Sequence, residues 1–223
     1  MTGPSWLSRM ETRFGDWALP RLSAFIVAMN AAVWAFSLAD PAFPALLRLE
    51  PSLVLSGQLW RLATFLFIPP TLAPLWAILW FYILFVYARA LEEEWGDFRF
   101  NAFYAIGAAS TVAASLALGA GLSNVPLNAT IFLAFARLFP EFEILLFFVL
   151  PVKVRWLALA AWAGLTLQLL FGNWPSRLAL GAGLLNYALF FGPGHWDDLR
   201  GWLEVRRNRA RYGRAFRDGD ESR

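Results

Sequence analysis

The side chains able to do chemistry in this chain are few, and the first is a lone cation among aromatics. Arg61 stands in the run Gly57-Gln58-Leu59-Trp60-Arg61-Leu62-Ala63-Thr64-Phe65-Leu66-Phe67. A charge near hydrocarbon is costly unless it is paired. Backbone carbonyls of the surrounding connection would serve, making Arg61 a clamp on that loop. Trp60 beside it suits an interface, with its ring inward and its N–H toward water. Carboxylates gather at Glu92-Glu93-Glu94, where Arg89 one turn earlier and Arg99 shortly after are candidate partners for Glu92. Bases are scarcer still, since His195 is the single histidine, Lys153 the single lysine, and cysteine is absent. Disulfides, thiol nucleophiles and thiolate metal sites are thereby excluded. One histidine also excludes a multi-histidine metal site, so neither a metal nor a cofactor is expected. A serine hydroxyl is a poor nucleophile without a base in hydrogen-bond reach. His195 sits beside Pro193 and Gly194 in the polar C-terminal stretch, and Lys153 sits with Arg155 in a basic connection.

These groups must be positioned by an unusually apolar chain. Its 223 residues are 59% hydrophobic and only 16% charged, where a soluble domain carries about a quarter charged residues. The charges cluster and leave long neutral runs, the pattern of an integral membrane protein. A crossing helix needs about 20 apolar residues, and six runs are candidates: 22–38, 72–90, 100–120, 127–138, 156–171 and 177–191. In the first, Asn30 is the strongly polar residue, expected to hydrogen-bond to a neighbouring helix. The third is rich in Ala, Gly and Ser, which admits close backbone approach and predicts a place inside the bundle. The fourth is short. The connection 40–70 holds five prolines and apolar stretches too short to span, and reads as an interfacial hairpin of short helices. Residues 142–150 have strand character and are expected to lie against the bundle at the interface.

No small-residue cleavage site follows the first apolar run, so residues 1–21, with Arg9, Arg13 and Arg21, read as a cytoplasmic arm rather than a cleaved leader. The membrane domain is then 22–192, and 193–223 is a tail with eight arginines from Arg200 to Arg223. Lys and Arg crowd the arm, the connections at Arg89/Arg99 and Lys153/Arg155, and the tail. That asymmetry puts both termini in the cytoplasm under six crossings.

Several segments together resemble the rhomboid family. They are Asp40-Pro41, Gly57-Gln58-Leu59-Trp60-Arg61-Leu62, Thr64-Phe65, Glu92 with Gly96 as Glu-x-x-x-Gly, Phe139-Pro140, Leu145-Leu146-Phe147-Phe148, and Pro151-Val152 before Trp156. The likeness extends over residues 39–192. It implies an all-α, six-transmembrane-helix rhomboid-like bundle with an interfacial first-loop hairpin, in a bacterial inner membrane. Gly57, Gln58, Trp60, Arg61, Glu92 and Gly96 are its structural motif. The family comprises intramembrane serine proteases and inactive relatives such as iRhoms and derlins. Its proteases use a serine at the start of the fourth helix and a histidine on the sixth, with a His and an Asn on the second helix lining the oxyanion region.

Carried onto this chain, the resemblance puts Trp76 and Trp80 at the oxyanion positions, and neither can accept a proton. Aligning Asn128-Ala129-Thr130-Ile131-Phe132 with the family's Ser-Gly-Ala-Ile-Phe puts Asn128 at the nucleophile. An alternative reads Gly121-Leu122-Ser123-Asn124 as a degenerate Gly-x-Ser-Gly with Ser123 as nucleophile, although a Ser-Asn turn before Pro126 explains these residues equally well. Arg177 or a neighbour occupies the histidine position, and arginine stays protonated. His195 lies 18 residues beyond Arg177, roughly 27 Å along a helix at about 1.5 Å per residue, toward the opposite membrane face.

The resemblance therefore implies a non-catalytic relative, a pseudoprotease that binds transmembrane segments of client proteins. Three features would assist: a short fourth span that thins the bilayer, a cavity near Asn128, Thr130 and Arg177 for a client's polar groups, and a partial derlin-type motif at Gly181-Ala182-Gly183. Two alternatives stand beside it. One is an active protease using Ser123 with an unusual base. The other is a transporter component, against which stand nearly uncharged span interiors and no visible inverted repeat. Membrane lipids and client helices are the expected partners. The tail could bind anionic lipid or nucleic acid; a positive-inside anchor, its charge softened by Asp197, Asp198, Asp218, Asp220 and Glu221, is the reading taken, with no nucleic acid.

Overall fold

Long neutral runs satisfy their backbone groups within a helix, the condition for crossing hydrocarbon. The structure, a computed structural model, describes residues 5–146 and 150–220. Among these, four helices are long and apolar enough to cross a membrane: α2 (Leu22–Ala39), α6 (Pro74–Trp95), α7 (Asp97–Leu118) and α9 (Val154–Phe171). Shorter helices complete the fold: α1 (Ser5–Phe14), α3 (Phe43–Leu47), α4 (Pro51–Leu55), α5 (Arg61–Thr64), α8 (Val125–Leu138) and α10 (Trp174–Gly183). The last helix, α11, runs from Leu185 to Asp220, and β1 (Glu143–Leu146) pairs with β2 (Leu150–Lys153). The chain is a mostly helical integral membrane protein. It divides into two compact units, the first ending at Tyr187 and the second beginning at Ala188.

Proline and glycine punctuate the helices. Pro74, Pro126 and Pro175 sit in the first turns of α6, α8 and α10, where their missing N–H costs nothing. Gly96 is the single residue between α6 and α7 and has φ +82°, a conformation that disfavours any residue with a Cβ.

α8 is the centre of the first unit. Leu127, Asn128, Thr130, Ile131, Leu133, Ala134, Phe135 and Ala136 are all buried, so the helix is enclosed on nearly every side, as all-round apolar character demands. It packs against α6, α7, α9 and α10, and α6 in turn packs against α2 and α7. The position inside the bundle expected for the small-residue third run belongs to α8 instead. α7 buries one face, through Phe100, Phe103, Tyr104, Gly107, Thr111 and Ser115, and leaves Ala109, Ala113 and Leu116 exposed. Because α8 is enclosed, its shortness is not presented to lipid. The bilayer-thinning role expected of a short fourth span therefore loses its physical basis. On α9 the reverse holds, since only Val154 is buried.

Other expectations are corrected by partner choice. Among the described residues Asn30 does not bond across helices; its Nδ2 donates to Ile26 O at 2.9 Å, one turn back in α2, and its Oδ1 is buried without a partner there. Arg99 does not serve Glu92 but pairs with Glu11 of α1 at 2.9 Å. That ion pair and the buried Leu7 seat the N-terminal arm as a helix against α7. The sixth apolar run is two helices broken at Leu184, and the second continues through the basic tail.

The strand expected over 142–150 is one arm of a hairpin in the register Glu143↔Lys153 to Leu146↔Leu150; residues 147–149, with Phe147-Phe148 of the rhomboid-like run, lie outside the described residues. Glu141 anchors the hairpin's base, accepting from Lys153 Nζ at 2.6 Å and Arg155 Nη1 at 2.7 Å. Its pKa is lowered, chiefly by the hydrogen bond from Lys153 and further by the Arg155 and Lys153 charges. A carboxyl held lower in the folded state stabilises above its unfolded pKa, near 4.3, and that contribution is lost as pH falls through the folded value. Amide-exchange protection of residues 143–146, corrected for intrinsic rates, is expected to fall below about pH 4. Glu141→Gln is expected to abolish this pH dependence.

Candidate functional site

The site begins in the connection between α2 and α6. A helix leaves its last four carbonyls without intrahelical donors, and α3 ends in Ala45, Leu46, Leu47 and Arg48 with that need. α5 and the residue before it supply every donor. Arg61 Nη1 donates to Ala45 O at 3.0 Å and Arg48 O at 2.8 Å. Trp60 Nε1 reaches Leu46 O at 3.4 Å, and Thr64 Oγ1 donates to Leu47 O at 3.1 Å. Arg61 Nε is held by Gln58 Oε1 at 2.7 Å. The Gln58, Trp60, Arg61, Thr64 set is thus a composite cap on α3, with Arg61 buried at 4% exposure. Trp60's N–H is directed to a carbonyl rather than to water, the opposite of its expected orientation. Gly57 turns the chain into this cap with φ +105°.

The loop 119–124 is fastened to the same connection. Leu122 bridges to Leu49, and a Cβ at Gly121 would stand 2.8 Å from Glu50 Oε2 and 3.0 Å from Leu49 O. Asn124 is buried, its Nδ2 donating to Leu66 O at 2.9 Å and Ile68 O at 3.0 Å. Ser123 between these anchors is exposed, and its hydroxyl has no hydrogen-bond partner among the described residues. Glu50 packs its carboxylate against Gly121 of this loop.

The other positions singled out do not converge on Ser123. Asn128 is buried in the first turn of α8. Arg177 is spent elsewhere: its Nε donates to Gly172 O at 2.9 Å and its Nη2 to Leu170 O at 2.7 Å, capping the C-terminal end of α9. Thr130 is fully buried, its Oγ1 donating to Leu127 O at 2.7 Å and accepting from Asn186 Nδ2 at 2.9 Å. Of the neutral cavity expected near Asn128, Thr130 and Arg177 for a client's polar groups, Thr130 and Arg177 spend theirs within the chain. Trp76 is 53% exposed on α6, while Trp80 buries an indole N–H without a partner among the described residues. His195 is exposed on α11.

At the other end of α6, Glu92 is 3% exposed. It accepts a short hydrogen bond from Ser23 Oγ and a longer one, 3.4 Å, from Ser23 N. Arg89 lies 3.8 Å away and bonds more closely to Glu93, at 2.6 Å. A buried carboxylate held by a hydroxyl and an amide ties α2 to α6.

Asn186 is the functional-looking residue that sequence reasoning passed over. Fully buried, it bridges Thr130 of α8 and Phe103 O of α7 at 3.3 Å, and its Oδ1 accepts from Tyr187 N at 2.8 Å. An asparagine inside an apolar run was the available signal. Gly107 stands opposite, where a Cβ would come within 2.7 Å of Asn186 Nδ2 and 2.3 Å of Leu127 Cδ1. Among the described residues no cluster of His, Cys, Asp and Glu is arranged to hold a metal ion. No protein-family model matches this sequence, and no curated protein is similar enough to be matched to it.

Proposed function

We propose that this chain is a non-catalytic, rhomboid-like membrane scaffold that binds transmembrane segments of other proteins. In this reading α2, α6, α7, α8, α9 and α10 with the start of α11 make six crossings, both termini face the cytoplasm, and the membrane is a bacterial inner membrane. The observation that carries the inert reading is the isolation of Ser123. Its hydroxyl is exposed without a hydrogen-bond partner among the described residues, and the arginine at the expected base position is committed to the end of α9. General-base activation needs an acceptor within about 2.6–3.2 Å.

Client binding is supported by α9. Leu159, Trp162, Leu167, Leu170 and Phe171 are exposed along it, and it packs within the bundle mainly through α8 and α10. A helix so lightly held can separate from its neighbours or seat an apolar partner along its free side. Purified protein in detergent is expected to remain unlabelled by a fluorophosphonate probe and to leave fluorogenic transmembrane substrates intact. Labelling abolished by Ser123→Ala would instead establish the protease, with Glu50 the first acid to replace in search of its base.

A further inference from the structure

We propose that residues 196–211 of α11 form an amphipathic helix that docks onto anionic phospholipid headgroups, and that arginine–tryptophan pairs set its depth. Trp196 and Trp202 are each 55% exposed. Each carries an arginine one turn further on, stacked over its ring: Arg200 at 5.1 Å from the Trp196 centroid and Arg206 at 5.2 Å from that of Trp202. Both distances lie within the range of a cation–π contact. Such a pair suits the headgroup boundary, where an indole body meets the acyl edge and a guanidinium meets phosphate.

The register of the helix extends the pattern. At 3.6 residues per turn, positions 196, 199, 203 and 210 (Trp, Leu, Leu, Ala) share one strip. Positions 197, 204 and 208 (Asp, Glu, Asn) fall on the other side. Over 196–211, arginines at 200, 207 and 211 border the apolar strip on one flank and those at 206 and 209 on the other, with Trp202 just beyond Arg206; at 214 and 217 the strip itself passes to arginine and ends. Between 199 and 211 five arginines stand against one glutamate, a density that binds acidic lipid surfaces. A general anchor needs cations but no such ordering. The occupant is a membrane rather than a nucleic acid because the strip between the arginines is hydrocarbon, which a phosphate backbone does not cover. The helix also starts at Leu185 in a membrane protein, so a bilayer is always at high effective concentration.

Because the chain has no cysteine, single cysteines give clean spin-label sites in the full-length protein. Gly201→Cys, where an added Cβ meets nothing within 4 Å, reports the polar side, and Ala210→Cys reports the strip. Collision with oxygen and with an aqueous nickel reagent is measured in vesicles of phosphatidylcholine alone or with added phosphatidylglycerol. With phosphatidylglycerol, the Ala210 label is expected to become oxygen-accessible and nickel-shielded while the Gly201 label stays aqueous. In phosphatidylcholine alone both labels are expected to be aqueous. About 1 M salt, which shortens screening to about 3 Å, is expected to return the Ala210 label to water. Arg206→Gln, Arg207→Gln and Arg209→Gln together are expected to abolish the lipid response, and Arg206→Lys, Arg207→Lys and Arg209→Lys together to retain it. The proposal is overturned by an Ala210 label equally aqueous in both vesicles, or by a response that survives the glutamine variant. It is equally overturned if an RNA oligonucleotide shields the label in neutral vesicles.

Discussion

Arg61→Leu is expected to destabilise the protein by about 3–5 kcal/mol, the sum expected for losing three part-buried hydrogen bonds from one charged donor at about 1.5–3 kcal/mol or less each. Leucine replaces the stem of the side chain but none of its donors. Ala45 O, Arg48 O and Gln58 Oε1 would each lose a charged donor at 2.7–3.0 Å, and a hydrogen bond to a charged group is worth about 1.5–3 kcal/mol. The damage should be local before it is global. The composite cap on α3 would keep only Trp60 and Thr64 as donors, and α3 has five residues, too few to hold its own end. Arg48, exposed at the end of α3, is then the site to watch. Trypsin cleavage after Arg48 should accelerate in Arg61→Leu under conditions where wild-type protein is resistant there, and thermal unfolding in detergent should shift downward. Arg61→Lys should recover only part of the loss, because one ammonium cannot reproduce the planar fork that serves both carbonyls and Gln58. Unchanged cleavage and unchanged unfolding in Arg61→Leu would show that the cap is held by packing alone.

That the connection would be organised by Arg61 is legible from sequence, because a cation at that depth has to find acceptors. Which carbonyls it finds is not legible, since Ala45 and Arg48 lie 16 and 13 residues away and every carbonyl of the connection looks alike in one dimension. Four of the apolar runs become the long helices at nearly their expected ends, because neutrality and length decide them. The centre of the bundle was misassigned for a physical reason. Small residues in α7 were read as enclosure, but they serve one face of close approach, to α10. Enclosure is signalled instead by apolar character all round, which α8 has. Arg99 shows the same limit for charges: its nearer acid, Glu92, is taken by Ser23, and its partner, Glu11, lies 88 residues away. The break at Leu184 was hidden because hydropathy is continuous across it.

The close approach of α10 to α8 yields the second large effect, and its control lies two residues away. Gly181 and Gly183 look equivalent in Gly181-Ala182-Gly183, yet a Cβ at Gly181 meets nothing within 4 Å. A Cβ at Gly183 would stand 2.3 Å from Pro126 Cβ and 3.3 Å from Pro126 Cγ. A flexible side chain could swing aside, but a proline ring in the first turn of a helix moves only with the backbone. That backbone is held on both sides of the contact. Asn124 is bonded to Leu66 O and Ile68 O, and Leu127 is fully buried. α10 would have to yield instead, stretching the bond from Ser110 Oγ to Ala182 O, now 2.7 Å. Gly183→Ala is therefore expected to destabilise by about 1–3 kcal/mol, as overpacking does. Gly181→Ala should be neutral or stabilising by up to about 1 kcal/mol from helix propensity. In a chain of this size about 1 kcal/mol moves the unfolding midpoint by about 2–4 °C, so the two variants should separate on opposite sides of wild type in a thermal scan in detergent. If both alanines shift the midpoint alike, the contact between Gly183 and Pro126 does not set the α8–α10 distance. The sign of the difference between two glycines one residue apart thus tests whether α8 is the fixed axis on which the bundle is assembled.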